Sequence, residues 1–347
     1  MITIDNFKIG SGKTFLVAEL SANHNQDFQL AVDTIKAIKK SGADAVKLQT
    51  FTADSLTINC NKKHFQIGGG TLWDGKTLYD LYKEAQMPLE WNQKLFNVAK
   101  EEGLICFSSP LDFETVDLLE SINTPAYKIP SFEITDLELI KHAASKQKPI
   151  ILSTGIAEKD DIHLAIDACR KVGNNQIVLL KCTSSYPAPL EIANLKTISD
   201  YKNEFGVEVG FSDHTKGIVA PIVATTFGAT MIEKHFILDK KNGGLDADFS
   251  LEPHEFLEMS KAVRDAEKLI GTINYNLPEK VKQNKVFARS IFVTNDIKSG
   301  ETFSNKNIRV IRPGYGMHPK YLNAILGKKA KFDIERGTPL SNEMIEE

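Results

Sequence analysis

Two histidines, His214 and His235, each close a short β-rich segment, V-G-F-S-D-H-T at 209–215 and M-I-E-K-H-F at 231–236. An apolar, helix-like run over 217–228 lies between them. Parallel strands need such a crossover, and it brings both imidazoles to the carboxyl ends of neighbouring strands. Two imidazoles there can hold a divalent metal whose remaining positions stay open for a reactant. Charged residues recur at the ends of other apolar segments: Glu19, Lys47, Lys128, Glu133, Lys181, Glu233 and Lys234. Burying a charge is costly unless it is paired or used. Interior ion pairs would account for two or three of these, but not for the whole series. Lys47 and Lys128, with the hydroxyls Ser108, Ser109, Ser131, Ser153, Thr154 and Ser212, have the composition of an anion cradle. Ammonium groups supply charge there, and hydroxyls supply directed donors. Taken singly, each serine is equally well a strand-end turn residue. With a metal, the set fits a small phosphorylated, carboxylated ligand.

The elements that must position these residues are legible in order. Strand-like runs occur at 15–20, 45–50, 105–110, 126–133, 149–155, 177–187, 207–215 and 231–236, with helix-period sequence between them. Asp27 is placed to cap the first helix, and Gly42 to stop it. Eight alternating βα units predict a (β/α)8 TIM barrel with its chemistry at the C-terminal strand ends. An open doubly wound sheet is the alternative, and no G-x-G-x-x-G follows the first strand to support it. The long polar loop after Thr50, with G-G-G at 68–70 and then T-L-W-D-G, is expected to cover a substrate. Residues 1–275 are assigned to the barrel, 276–287 to a polar linker, and 288–347 to a small, mostly β domain. Two D-I-x-x-G pieces, Asp296–Gly300 and Asp333–Gly337, form a weak repeat in that domain.

Composition narrows the function classes. The chain has 347 residues, 42% hydrophobic and 25% charged, with a formal net charge of −3. Those values suit a globular protein with a full core and give no global attraction to nucleic acid or an anionic membrane. No window approaches the roughly 18 apolar residues of a membrane span, and the amino terminus lacks a signal-peptide pattern. The four cysteines, Cys60, Cys106, Cys169 and Cys182, show no C-x-x-C spacing, and three lie in apolar runs. A cytoplasmic, disulfide-free protein is expected.

The motifs E-L-S-A-N-H, V-K-L-Q-T, F-S-S-P, A-Y-K-I-P-S-F-E, I-L-S-T-G, K-C-T-S-S-Y-P, F-S-D-H-T and E-K-H-F follow one another in the order of the sialic acid synthase family, which the chain resembles over essentially its whole length. The segment I-R-P-G-Y-G-M-H-P-K resembles that family's antifreeze-like, or SAF, domain. Within the family, L-W-D-G-K-T-L-Y-D-L-Y, S-F-E where relatives have S-G-E, and G-M-H-P-K are most similar to the pseudaminic acid branch.

The resemblance implies condensation of phosphoenolpyruvate with an open-chain amino sugar, releasing phosphate by C–O cleavage. It implies Mn2+ or Mg2+ on His214 and His235, with Asp213 orienting His214. Lys47, Ser109, Lys128, Ser131, Ser153, Ser184 and Ser212 would bind phosphoenolpyruvate. Glu133, Tyr186, Asp246 and Arg312 would contact the sugar, with Arg312 delivered from a partner in a domain-swapped homodimer. Glu19 and Glu133 would handle protons beside Lys128. Ser109 and Ser184 depart from relatives that carry threonine and asparagine, which weakens those two assignments. A role in surface glycans or flagellar glycosylation is implied downstream. The rival readings are a synthase for neuraminate or legionaminate, a metal-dependent aldolase that releases no phosphate, and an inert barrel carrying an ice- or sugar-binding tail.

Overall fold

The computed structural model describes residues 2–346. A short hairpin, β1 (Thr3–Ile4) and β2 (Phe7–Lys8), precedes the barrel strands. These are β3 (Phe15–Glu19), β4 (Ala45–Thr50), β5 (Ile105–Pro110), β6 (Tyr127–Ile129), β7 (Ile150–Ser153), β8 (Ile177–Cys182), β9 (Glu208–Asp213) and β10 (Met231–His235). All eight are parallel, and β10 pairs with β3 to close the barrel. The first compact unit runs from Met1 to Gly271 and holds this barrel.

Period-two alternation sorts each strand into two faces. Leu16, Ala18, Val46, Leu48, Leu152 and Leu179 pack outward with the surrounding helices in the larger core. Phe15, Val17, Ala45, Ile105, Phe107, Ile151 and Leu180 fill the interior. Ile2, Ile4 and Ile9 join that inner core, so the hairpin plugs the N-terminal end of the barrel. With the lower layers apolar and sealed, the polar interior positions sit at the other end.

The helices start where capping residues allow. Asp27 accepts hydrogen bonds from the backbone N–H groups of Gln29 and Leu30 at the head of Phe28–Lys40. Asp112 and Thr115 form a reciprocal capping box at the head of Phe113–Ser121.

The second unit, Thr272–Glu347, has its own core of Ile291, Val293, Phe303, Ile308, Ile325 and Leu340. Its strands β11 (Ser290–Val293) and β12 (Ile308–Ile311) pair antiparallel. The two D-I-x-x-G pieces face each other. Ile297 and Ile334 exchange both backbone hydrogen bonds at 2.9 and 2.8 Å, and Lys298 pairs with Asp333 at 2.7 Å. The segment expected as a linker contains a short helix at Glu279–Lys282 and a 3-10 turn at Gln283–Phe287.

Candidate active site

The residues picked out by type converge at the C-terminal mouth of the barrel. Register explains how: Glu19 lies level with Lys47 on β4 and with His235 on β10, and Glu233 lies level with Ser212 on β9. All five point inward and are buried.

Lys47 Nζ lies 2.8 Å from Glu19 Oε1 and 3.1 Å from Glu233 Oε1, and Lys128 Nζ lies 3.4 Å from the same Glu233 oxygen. Ser212 Oγ–H also donates to Glu233 Oε1, at 3.0 Å. Gln49 Nε2 donates to Glu19 Oε1 at 2.8 Å. Glu233, named from sequence only among the strand-end charges, is therefore the hub of the network. Its second oxygen is buried without a hydrogen-bond partner.

Surroundings set each charge state. Burial would raise the Glu19 carboxyl, but His235, Lys47 and Lys128 hold it far below the usual carboxylate range. Burial pushes Glu133 up to about 7 against the pull of Lys128. Burial works against the charged form of both lysines. Glu19 and Glu233 nonetheless lift Lys47 above its ordinary value, whereas Lys128, with Lys47 also opposing it, is held below its own. Two adjacent ammoniums thus differ in how firmly they hold a proton.

Of the hydroxyls, some lie together at the mouth and others face the helices. Ser109, Ser153 and Ser184 each have a buried Oγ without a hydrogen-bond partner, and Ser131 Oγ accepts from the Gly155 N–H at 2.9 Å. A Cβ on Gly155 would lie 2.1 Å from Ser184 Oγ and 2.7 Å from Ser131 Oγ. Only glycine leaves that cradle open. Ser108 and Thr154, grouped with the cradle by type, face the helices instead. Ser108 shares a 2.7 Å hydrogen bond with Thr50, and Thr154 donates to Leu180 O at 3.1 Å.

The two imidazoles come together with ring centroids 5.4 Å apart. His214 Nδ1 lies 3.1 Å from the Thr183 carbonyl, which can only accept, so Nδ1 carries a proton. His235 Nε2 lies 3.2 Å from Glu19 Oε2, and its Nδ1 is 3.5 Å from Asp246 Oδ2 without a hydrogen-bond partner. Asp213 does not orient His214. It faces outward, pairing with Lys234 at 2.7 Å and accepting from the Thr215 N–H at 2.8 Å. The cause is alternation: Asp213 and Lys234 are level and lie on the opposite face to Ser212 and Glu233. Among the described residues, no group of three or more His, Cys, Asp or Glu is assembled for a metal. The two imidazoles are the nitrogen donors at this end of the barrel.

On the sugar side, Asp246 accepts a hydrogen bond from Ser21 Oγ and is held ionised, burial notwithstanding, by His235 and that hydroxyl. Ser21 reaches it from a loop in which Ser21, Asn25 and Gln26 adopt left-handed backbone (φ +48°, +46° and +58°), strain held next to the site. Tyr186 packs 4.4 Å from the His214 ring and 5.4 Å from Phe249, and burial keeps its phenol protonated. Phe249, which sequence reasoning missed, also lies 4.8 Å from His235. Glu133 sits in the half-turn Ser131–Glu133 after β6, beside the exposed Phe132. Arg312 belongs to the second unit and is exposed. Cys182 lies 3.7 Å from His214 Nδ1. Burial opposes its ionisation, yet His214, Ser131 and Lys128 bring the thiol down to about 7.

The NeuB family model matches residues 34–275, most of the barrel unit. The chain belongs to the NeuB family. A SAF domain model matches residues 288–346 of this NeuB chain. It is 47% identical over 337 residues to a pseudaminic acid synthase of Campylobacter jejuni, covering 97% of this chain and 98% of the other. It is 48% identical over 332 residues to a pseudaminic acid synthase of Helicobacter pylori, covering 95% and 97%. Among solved structures, an N-acetylneuraminic acid synthetase of Leptospira borgpetersenii in complex with citrate superposes with a TM-score of 0.73 at 28% identity, covering 82% of this chain and 94% of that one. No helix among the described residues is long and apolar enough to cross a membrane.

Proposed function

We propose that this chain is a pseudaminic acid synthase. It condenses phosphoenolpyruvate and water with 2,4-diacetamido-2,4,6-trideoxy-L-altrose to give pseudaminic acid and inorganic phosphate. The observation that carries this reading is the 47% identity to the Campylobacter jejuni synthase across 97% of the chain.

The site supports each role. Lys47 and Lys128 face the anion, and Ser109, Ser131, Ser153, Ser184 and Ser212 surround it with hydroxyls, three of them unpartnered. A divalent ion, Mn2+ or Mg2+, held by His214 and His235 supplies Lewis-acid polarisation of the sugar aldehyde when bound. Asp246, Tyr186 and Glu133 hold the sugar. The enol carbon of phosphoenolpyruvate bonds to the aldehyde carbon, water adds to the resulting oxocarbenium carbon, and the C–O bond to phosphate then breaks. Glu133, near neutrality, exchanges protons with these oxygens. Glu19 stays ionised and holds Lys47 and His235 in place.

The assembly in this reading is a homodimer in which the second unit of each copy lends Arg312 to the other barrel. Support comes from the exposure of Arg312 and from a second unit that is net positive in a chain of net charge −3. We place the reaction in the cytoplasm, where phosphoenolpyruvate is made and free thiols persist; all four cysteines are unpaired. A supply of precursors for surface or flagellar glycans follows from the product.

Phosphate release from phosphoenolpyruvate tests the assignment, comparing the trideoxy sugar with N-acetylmannosamine. Turnover with the trideoxy sugar alone, lost with EDTA and in His214→Ala, is the expected result. Turnover with N-acetylmannosamine instead would move the chain to a neuraminate synthase. Aldol product without phosphate would refute the synthase chemistry.

A further inference from the structure

The loop between β4 and the helix at Leu78–Ala85 is built to deliver one side chain. At its base Gln66 and Thr77 pair antiparallel. Ile67 N–H donates to Lys76 O at 2.9 Å, and Gly75 N–H donates to Ile67 O at 3.1 Å. At its tip the Asp74 carboxylate accepts from Gly70 N–H at 2.8 Å, from Thr71 N–H at 2.9 Å and from Thr71 Oγ–H at 2.6 Å. Gly70 and Gly75 take φ of +87° and +89°, which a side chain would resist. Thr71, Leu72 and Asp74 are left exposed while Trp73 turns inward. Its indole Nε1–H donates to Leu245 O at 3.3 Å, next to Asp246, and its ring lies 5.8 Å from Tyr186.

Trp73, Tyr186 and Phe249 therefore form a continuous aromatic wall that runs from the loop to the two imidazoles. The anion cradle is ammonium and hydroxyl; this side of the mouth is lined by aromatic rings. A hydroxyl pressed on an aromatic ring loses its hydration without gaining a partner, whereas a methyl gains contact.

We infer that Trp73 is a specificity-determining residue that recognises the apolar, 6-methyl edge of the amino sugar, an inference that rests on the synthase reading above. It selects a 6-deoxy sugar over its 6-hydroxy counterpart and leaves phosphoenolpyruvate binding untouched.

The chain has two tryptophans, and Trp91 lies in an outer helix with its ring 5.2 Å from Phe28. Trp91→Phe thus leaves Trp73 as the sole reporter. Its emission is expected to change saturably with the trideoxy sugar and not with phosphoenolpyruvate alone. Trp73→Ala is expected to lower kcat/KM for the trideoxy sugar by about 10-fold or more, while the 6-hydroxy analogue changes by less than about threefold. KM for phosphoenolpyruvate stays level. Asp74→Ala, which loosens the turn without touching a reactant, shifts the sugar preference the same way but less. Unchanged emission, or equal losses for both sugars, would overturn the role of Trp73 while phosphate release by the unaltered enzyme left the synthase reading intact. Absence of phosphate release by the unaltered enzyme would remove both.

Discussion

Glu19 and Glu133 are the same side chain at the same barrel mouth, and their neighbours drive them apart. Glu19 has Lys47 at 2.8 Å and His235 at 3.2 Å, so its carboxylate stays ionised. Glu133 has burial without a close partner and sits at about 7. A group poised there can accept and return a proton at neutral pH. The pH profile of kcat/KM should show a limb with an apparent pKa near 7, and Glu133→Gln should abolish it while lowering kcat by about 10²–10⁴. Stability carries a second signature. The folded chain binds this proton more tightly than the unfolded chain, whose value is 4.5, so the contribution to stability is present below about 4.5 and is lost as pH rises through about 7. Glu133→Gln should therefore melt higher than the unaltered chain at pH 8, with the difference closing towards pH 4.5. A constant difference across that range would contradict it.

At the scale of the element, the site is made by strand ends and the turns that leave them. Gly155, just after β7, lets two serines approach at a separation no side chain would permit. Gly155→Ala should leave the barrel folded and weaken phosphoenolpyruvate binding by about 10–100-fold, the loss of one or two hydrogen bonds to an anion. Calorimetric titration of phosphoenolpyruvate into the variant measures this, and an unchanged Kd would contradict it.

The strand ends were legible because charges inside apolar runs stand out. Lys47, Lys128, His214 and His235 were found that way. The facing of each residue was harder to read, since it depends on register around a closed barrel as well as on alternation. Asp213 was assigned to His214 because it precedes it, yet adjacency along a strand puts neighbours on opposite faces. Ser108 and Ser109 differ for the same reason. Trp73 and Phe249 lie in loops, where no periodicity marks an aromatic as functional. The hairpin at Thr3–Lys8 was missed because two-residue strands carry almost no pattern.

At the scale of the molecule, the division of labour follows from two independent cores. The barrel closes its lower end with apolar side chains and keeps its ionic network at the mouth. Four buried charged groups, Glu19, Lys47, Lys128 and Glu233, nearly cancel among themselves. Such a network adds little to stability for its desolvation cost, and its retention makes sense as a site prepared for charged reactants. The smaller unit was visible from sequence as a change of pattern after the helix at Pro253–Ile270, and its repeat proved to be a pair of mutually bonded turns.

The central claim is that this mouth joins the enol carbon to a sugar aldehyde and breaks the C–O bond to phosphate. Phosphoenolpyruvate labelled with 18O at the bridging oxygen, turned over with the trideoxy sugar, tests it by mass spectrometry of both products. A nine-carbon acid without label and inorganic phosphate carrying one 18O are expected. Label retained in the acid, or labelled pyruvate with no condensed sugar, would contradict it.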